Sequence, residues 1–207
     1  MRQLDKSEPA QQFVDFMHRC HPVNWEEAID ESLKWRRLIL YREQHGLSGY
    51  TEAPLRLEKS HIDHFKKQSL YPHLIFEWSN YVVDGQDDTY GARYKDNAIR
   101  NRTDNEKLIN PIVEEAQKFF KYELSGKIVP ADGLNEEDNE RAEFTITIFN
   151  LNESSLVDRR KRIINMDIRS FEGLSDEDVL AVLLPEGFSS VVEQLLNERA
   201  KNEGVAL

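Results

Sequence analysis

The spacing of apolar residues predicts helices at the start of the chain. In residues 8–20 an apolar side chain recurs every three to four positions, which is typical of a helix with one buried face. Asn24, followed three residues later by Glu27, is typical of a helix N-terminus. We therefore predict a long second helix to about residue 43, with a buried stripe that includes Ile29 and Leu33.

The pattern changes between residues 47 and 65, where apolar and polar residues alternate beside a glycine and a proline. This alternation predicts two short extended segments joined by a turn, and the second segment is residues 61–65. Residues 74–83 are expected to form a short helix or an extended segment, and residues 90–97 to open a further helix. This stretch is therefore predicted to hold two strands followed by a helix.

Helices dominate the rest of the chain. A short helix is predicted over residues 113–119, and a Ser-Gly pair within residues 120–130 predicts a hairpin. Beyond the hairpin we predict helices over residues 138–149, 154–168, 177–184 and 189–201. The fold class is thus α+β, mostly α-helical, in a single domain over residues 1–207. A strand-strand-helix unit occupies residues 47–102, and a hairpin plus a helical C-terminal part occupy residues 103–207.

Composition narrows the classes of protein to consider. The hydrophobic fraction of 39% in 207 residues is enough to close one core. No apolar run approaches the roughly 20 residues of a membrane-spanning helix, and the first residues are too polar for a signal peptide. The single cysteine, Cys20, cannot form an internal disulfide. We therefore expect a cytoplasmic protein that makes no contact with a membrane.

The net charge of −11 restricts how the chain could bind nucleic acid. A protein that grips nucleic acid alone is usually basic, because neutralising phosphates supplies much of its affinity. To bind nucleic acid, an acidic chain would need its basic residues on one face, or a partner that contacts the phosphates. Basic residues do gather in residues 93–102 and 159–162, although solvated helix faces explain such clusters as well.

Three residues carry the parts of a site that could cleave a phosphodiester. Such a reaction needs an activated water and a cation that neutralises charge on the phosphate. His64 suits the general base, since the pKa of a histidine lies near working pH. Asp63 is a hard ligand of the kind that Mg²⁺ or Mn²⁺ prefers. Asn80 can fix the backbone that carries His64 through hydrogen bonds of its amide.

Lys95 and Arg93 are candidate contacts for the substrate phosphate, because they lie in the predicted helix that follows the strands. His61 is a secondary candidate. Side chains alternate along a strand, so His61 and His64 face opposite ways unless a twist brings them together. An acid beside a histidine also arises by chance at protein surfaces, so the order of the parts matters more than the pair itself.

Several short matches, in order, resemble one family of nucleases. From its start to about residue 165 the chain is similar to the PtuB-like HNH endonucleases, the nuclease subunits of Septu-type and retron-linked antiphage defence systems. The matching segments include residues 49–52, 61–65, 78–80, 95–96, 109–111, 120–128 and 150–159. The resemblance implies a ββα-metal core with one catalytic Mg²⁺ or Mn²⁺, His64 as general base and Asp63 as a metal ligand or its support. Asn80 would be the central asparagine.

The resemblance also implies partners. A PtuA-like ATPase of the ABC/SMC kind would gate the nuclease, and the substrate would be DNA or tRNA. In a retron-linked setting the assembly would include a reverse transcriptase and multicopy single-stranded DNA. The alternative is a non-catalytic interaction subunit that kept the HNH frame and lost its metal site.

The chain departs from the family pattern at two places. The family carries two Cys-x-x-Cys pairs that bind a structural zinc, but Ser48 and Thr51 stand at the first pair and no cysteine stands at the second. A structural zinc is therefore not expected. The last family ligand falls near Ala92, so another ligand must join Asp63. We expect Asp88 and His61 in that role, and the remaining candidates are Asp87, Asp96 and Asn97.

Overall fold

The computed structural model describes residues 1–166, 171 and 173–202. This part of the chain forms a single, mostly helical α+β fold with two small antiparallel sheets. The helices are α1 (Gln11–Cys20), α2 (Ile29–Leu38), α3 (Gly91–Ala98), α4 (Arg102–Lys107), α5 (Glu136–Ile148), α6 (Ser154–Ile164), α7 (Asp176–Leu183) and α8 (Ser189–Asn202). The strands are β1 (Ser60–His64), β2 (Tyr81–Gly85), β3 (Phe120–Tyr122) and β4 (Ile128–Pro130). Among the described residues no helix has the length and apolar character needed to cross a membrane.

The second predicted helix is divided into three parts. A 3₁₀ turn precedes α2, and a π turn follows it up to Glu43. Asn24 does cap this segment, since its side chain accepts a hydrogen bond from the backbone N–H of Glu27. Trp35 is the buried residue of α2, whereas Ile29 and Leu33 are exposed. Leu33 stands two positions before Trp35, and two helical positions are separated by roughly 200° around the axis. Burial of Trp35 therefore turns Leu33 towards solvent.

The pairing partner of β1 differs from the prediction. β1 pairs with β2 in antiparallel register, with Asp63 opposite Val82 and His64 opposite Tyr81. The expected first strand, between residues 47 and 56, forms only an isolated bridge between Leu47 and Pro54. Between these residues the chain forms a turn, in which the backbone N–H of Glu52 donates to the carbonyl of Ser48 and the φ of Glu52 is +60°. The next element after β2 is α3, which packs against β2, so the order strand-strand-helix is present.

A hydrogen-bonded carboxylate joins the loop before β1 to the start of α3. Asp84 accepts hydrogen bonds from the hydroxyl of Ser48, at 2.5 Å, and from the backbone N–H of Ala92, at 2.6 Å. Gly91 has a φ of +74°, and a Cβ at this position would lie 2.3 Å from an Asp84 oxygen. The carboxylate therefore sits against the N-terminus of α3, where the helix dipole favours a negative charge.

The C-terminal part follows its prediction closely. The hairpin of β3 and β4 is present, and the helices after it begin and end within a few residues of the predicted bounds. The predicted helix over residues 113–119 is only a 3₁₀ turn from Ala116 to Phe119. α6 ends at Ile164, and the predicted end near Ile168 lies outside the described residues. Arg160 is buried and donates to the carbonyls of Gly126 and Leu151, so the basic cluster at 159–162 is partly structural.

A buried ion pair joins distant parts of the chain. The α-ammonium of Met1 lies 2.9 Å from Glu52 and donates to the hydroxyl of Tyr122 at 2.7 Å. Glu52 also accepts hydrogen bonds from the backbone N–H and the hydroxyl of Ser190 in α8. Burial alone raises the pKa of Glu52, but the ammonium and the Ser190 donors outweigh it and lower the pKa to about 2.

Replacing this carboxylate should destabilise the fold strongly. Glu52→Gln leaves the Met1 ammonium buried without its counterion, a change that typically costs about 3–5 kcal/mol. Urea denaturation at pH 7 should show this loss, while Glu140→Gln, at an exposed site on α5, should change stability by less than about 0.5 kcal/mol. Because the folded pKa of Glu52 lies below the ordinary one, its contribution should disappear as the pH falls from about 4.5 towards 2. Burial lowers the pKa of the Met1 ammonium, so the pair should also weaken as the pH rises towards 8, the ordinary pKa of an α-ammonium. Equal stability of the two variants would contradict this role.

Candidate functional site

A cleft of about 570 Å³ lies at the end of β1. Its wall includes His61, Asp63 and His64 from β1, together with Trp25 from the turn before α2 and Asp96 from α3. Three of the predicted site residues therefore reach one cavity. The cleft has room for water and for part of a ligand, so it is the candidate functional site.

His64 lies on the aromatic side of this cleft. Its ring contacts Trp25 and Tyr81 edge to face, with ring centres 4.8 Å and 5.1 Å away. Nε2 lies 2.9 Å from the carbonyl oxygen of Ile75, which can only accept, so Nε2 carries the proton and Nδ1 keeps the free lone pair. Burial lowers the pKa of His64 below its ordinary value. The imidazole is therefore neutral at pH 7, which is the form that a general base requires.

Asp63 points to the opposite face of β1, because adjacent residues of a strand face opposite ways. Its Oδ2 accepts a hydrogen bond from Lys95 Nζ at 2.5 Å and another from the hydroxyl of Tyr50 at 2.5 Å. Asp63 and Lys95 are 3% and 0% exposed, so this is a fully buried ion pair. The carboxylate that was expected to bind a metal ion is thus already paired with an ammonium group.

Lys95 lies beneath the sheet and not at the surface. Its ammonium also donates to the carbonyl of His64 at 2.9 Å and lies 3.3 Å from Asp96 Oδ1. The attraction of Asp63 and Asp96 outweighs burial and raises the pKa of Lys95, so the amine is charged at pH 7. Lys95 was predicted to contact the substrate phosphate, but a side chain with no exposed surface cannot do so in this conformation.

Asn80 fixes the backbone just after β1. Its Oδ1 accepts from the backbone N–H of Lys66 at 2.7 Å, and its Nδ2 donates to the carbonyl of Lys66 at 3.1 Å. Asn80 immediately precedes β2, and Lys66 stands two residues after His64. The amide therefore closes the 65–80 loop and holds the end of β1 that carries His64.

The other predicted ligands are placed apart from one another. Asp88 forms an exposed ion pair with Arg93, at 3.1 Å, and neither residue lines the cleft. His61 lies opposite Asp84 in the sheet, and its buried Nδ1 has no hydrogen-bond partner in the described part of the chain. Within residues 1–166, 171 and 173–202, no three His, Cys, Asp or Glu side chains form a ready metal site.

Sequence reasoning missed the role of Tyr50. The residue is buried, its ring packs on Phe149 at 4.3 Å, and its hydroxyl binds Asp63. Burial and the adjacent carboxylate raise its pKa well above the ordinary value, so the hydroxyl remains a donor. Tyr50 belongs to one of the segments that carry the family resemblance, which is the only signal of its importance in the sequence.

Comparisons with known proteins add no identification. No protein-family model matches the chain, and no curated protein matches it at a significant level. The candidate site therefore depends on its geometry and on the resemblance of its short segments.

The role of Asn80 can be tested by a nearly isosteric change. Asn80→Asp keeps the acceptor for the Lys66 N–H, but it removes the donor and places a carboxylate against two carbonyl oxygens. The expected cost is about 2–3 kcal/mol in urea denaturation, since buried acceptors lose their donor. Asn197→Asp, at an exposed position of α8, is the matched control and should be close to neutral. A neutral Asn80→Asp would show that the amide does not hold the loop.

Proposed function

We propose that the chain is an endonuclease of the HNH type that hydrolyses phosphodiester bonds in nucleic acid. The observation that carries the proposal is the neutral, hydrogen-bonded His64 in a cleft, at a strand end that Asn80 fixes. The order β1, β2, α3 supports it, because this is the order of parts in a ββα-metal nuclease.

His64 is the general base of the proposed reaction. Its Nε2–H is held by the Ile75 carbonyl, so Nδ1 is the atom that would take a proton from the attacking water. Packing against Trp25 and Tyr81 fixes the plane of the ring, and such fixed orientation supports proton transfer.

The metal ion implied by the resemblance does not fit the site as it stands. In such nucleases a divalent cation neutralises the phosphate and assists the leaving oxygen. The oxygens around Asp63 are of the right kind for Mg²⁺ or Mn²⁺, but the Lys95 ammonium already lies among them. We therefore assign no step to a metal ion here.

The substrate and partners of the proposed enzyme are those that the family resemblance implies, and the charge of the chain agrees with a partner. Arg93 is a candidate phosphate contact, although in this conformation it pairs with Asp88. A net charge of −11 favours a partner that supplies most of the grip on DNA or tRNA. We propose an ABC/SMC-like ATPase as this partner in an antiphage defence complex. In a retron-linked setting, a reverse transcriptase and multicopy single-stranded DNA would join it.

The second candidate function is a non-catalytic interaction subunit of the same complex. The buried Asp63–Lys95 pair favours it, since the carboxylate that should bind the cation is neutralised within the chain. The two candidates differ in one measurable property, because only the endonuclease needs His64 for its biological effect.

The test is cleavage by the assembled complex, with DNA and tRNA offered separately in the presence of Mg²⁺ or Mn²⁺. His64→Gln keeps an N–H donor for Ile75 and removes the base, so cleavage should fall by roughly 10²–10⁴-fold. The matched control is His73→Gln at an exposed position, which should retain wild-type cleavage. Wild-type cleavage by His64→Gln would exclude His64 as the base. Protection against phage by His64→Gln, with no cleavage in any sample, would favour the interaction subunit.

The pH dependence of cleavage provides an independent test. Burial lowers the pKa of His64, and the base acts only when it is neutral. The acidic limb of the plot of kcat/KM against pH should therefore have its midpoint below the ordinary histidine value of about 6.5. A midpoint above that value would mean that another group, or a charged His64, controls the reaction.

A further inference from the structure

One side of α2, together with the π turn after it, presents a row of apolar residues to solvent. We name this row the α2 stripe, and it consists of Ile29, Leu33, Arg37 and Tyr41, which stand four positions apart. Its three apolar members are between 48% and 54% exposed. Residues four apart share one side of a helix, and Trp35 on the opposite side is buried, so the stripe points away from the core.

The other exposed apolar residues are more scattered. Val113, Leu124 and Val182, for example, lie on three separate elements. Single apolar residues at a surface need no explanation, whereas a row of them along a helix is typical of a face that packs against another helix. The apolar spacing of the sequence predicts burial of Ile29 and Leu33, and contact with a second chain would bury them.

The charged residues of the same segment are divided along the helix. Acidic residues come first and basic residues second: Glu26, Glu27, Asp30 and Glu31, and then Lys34, Arg36, Arg37 and Arg42. This order also suits the helix dipole. Two copies lying parallel would bring like charges together. An antiparallel pair would place the acidic half of each copy beside the basic half of the other.

Asp30 and Arg37 are matched by such an antiparallel contact. They lie two turns apart on α2, so roughly 10 Å of helix separates them and they do not pair with each other. Neither has an ion-pair partner in the part of the chain that the structure describes, whereas the neighbouring Lys34 pairs with Glu31 at 2.9 Å. Asp30 stands three positions before Leu33 and Arg37 four positions after it. A two-fold axis at Leu33 therefore brings Asp30 of one copy next to Arg37 of the other.

We propose that two copies of the chain associate through the α2 stripe, as an antiparallel two-fold pair with Leu33 at its centre. Each copy buries Ile29 and Tyr41 against the other, and two Asp30–Arg37 ion pairs flank the centre. One pair of helices is a small interface, so the dimer should be reversible, with a Kd of roughly 1–100 µM. The inference goes beyond the proposed function and does not depend on cleavage.

Sedimentation velocity of the purified full chain, from about 1 µM to about 500 µM, tests the association. The wild type should change reversibly from monomer to dimer over this range. Leu33→Glu places two carboxylates at the centre of the contact and should raise the Kd by at least about 100-fold. Val113→Glu, at an apolar position outside the stripe that is 70% exposed, is the matched control and should dimerise as the wild type does.

An exchange of charges tests the direction of the pair. Asp30→Lys and Arg37→Glu should each raise the Kd by roughly 10-fold, because each homodimer then contains two contacts between like charges. An equimolar mixture of the two variants should recover the wild-type Kd. In the mixed dimer the new ammonium faces the new carboxylate, and the native Arg37 and Asp30 form the second contact. Mixing does not rescue a variant that has only lost its fold.

Three results would overturn the inference. The first is a wild-type chain that stays monomeric at every concentration. The second is a dimer whose Kd is unchanged by Leu33→Glu, since association would then use another surface. The third is a mixture of the two charge variants that associates no better than either variant alone, which would exclude the antiparallel pair. The mixture decides the question even if Leu33→Glu folds poorly.

Discussion

The architecture of the site depends on the need to neutralise one buried ammonium. A lysine without solvent contact is stable only if anionic oxygens surround it, because a bare charge in the interior costs several kcal/mol. Lys95 belongs to α3 and Asp63 to β1, so their pair links the helix to the sheet. Tyr50 adds the preceding loop through its bond to the same carboxylate. Three segments that are distant in sequence are therefore held together by one charge.

The alternation of side chains along β1 divides the chemistry of the site between two faces. Asp63 faces α3 and the buried charges, whereas His64 faces the aromatic cluster on the other side of the sheet. Both line the cleft, as do His61 and Ile62 of the same strand, so the cleft follows β1 across both of its faces. Asn80 holds Lys66, two residues after His64, and so fixes the end of β1 that carries the acid and the base.

Much of the fold could be predicted from the sequence, because the capping residues and apolar spacing that indicate a helix lie within the helix itself or next to it. The C-terminal helices and the hairpin of β3 and β4 are examples. The partner of β1 could not be predicted, since a five-residue strand carries no information about a strand beyond the 65–80 loop. The position of Lys95 was also missed. Lysines are almost always at the surface, and nothing in a local pattern shows that two carboxylates will enclose one.

Some of the site residues could also be predicted from the sequence, and others could not. The ability of Asn80 to hold backbone groups follows from its amide and its place before an apolar segment, and the structure gives it two bonds to Lys66. Asp88 was chosen as a ligand by elimination, and its pairing with Arg93 at the surface depends on how the loop before α3 folds. Local chemistry can be inferred from a sequence, whereas convergence of several groups on one point requires the tertiary fold.

The contact between Trp25 and His64 has an optical consequence. The ring centres are 4.8 Å apart, close enough for the imidazole to alter the excited state of the indole. A protonated imidazole accepts an electron from excited indole more readily than a neutral one does, so the emission of Trp25 reports the charge of its neighbour. Trp35 and Trp78 emit as well, so the part of the emission that Trp25 contributes would follow the charge of the candidate base without any added label.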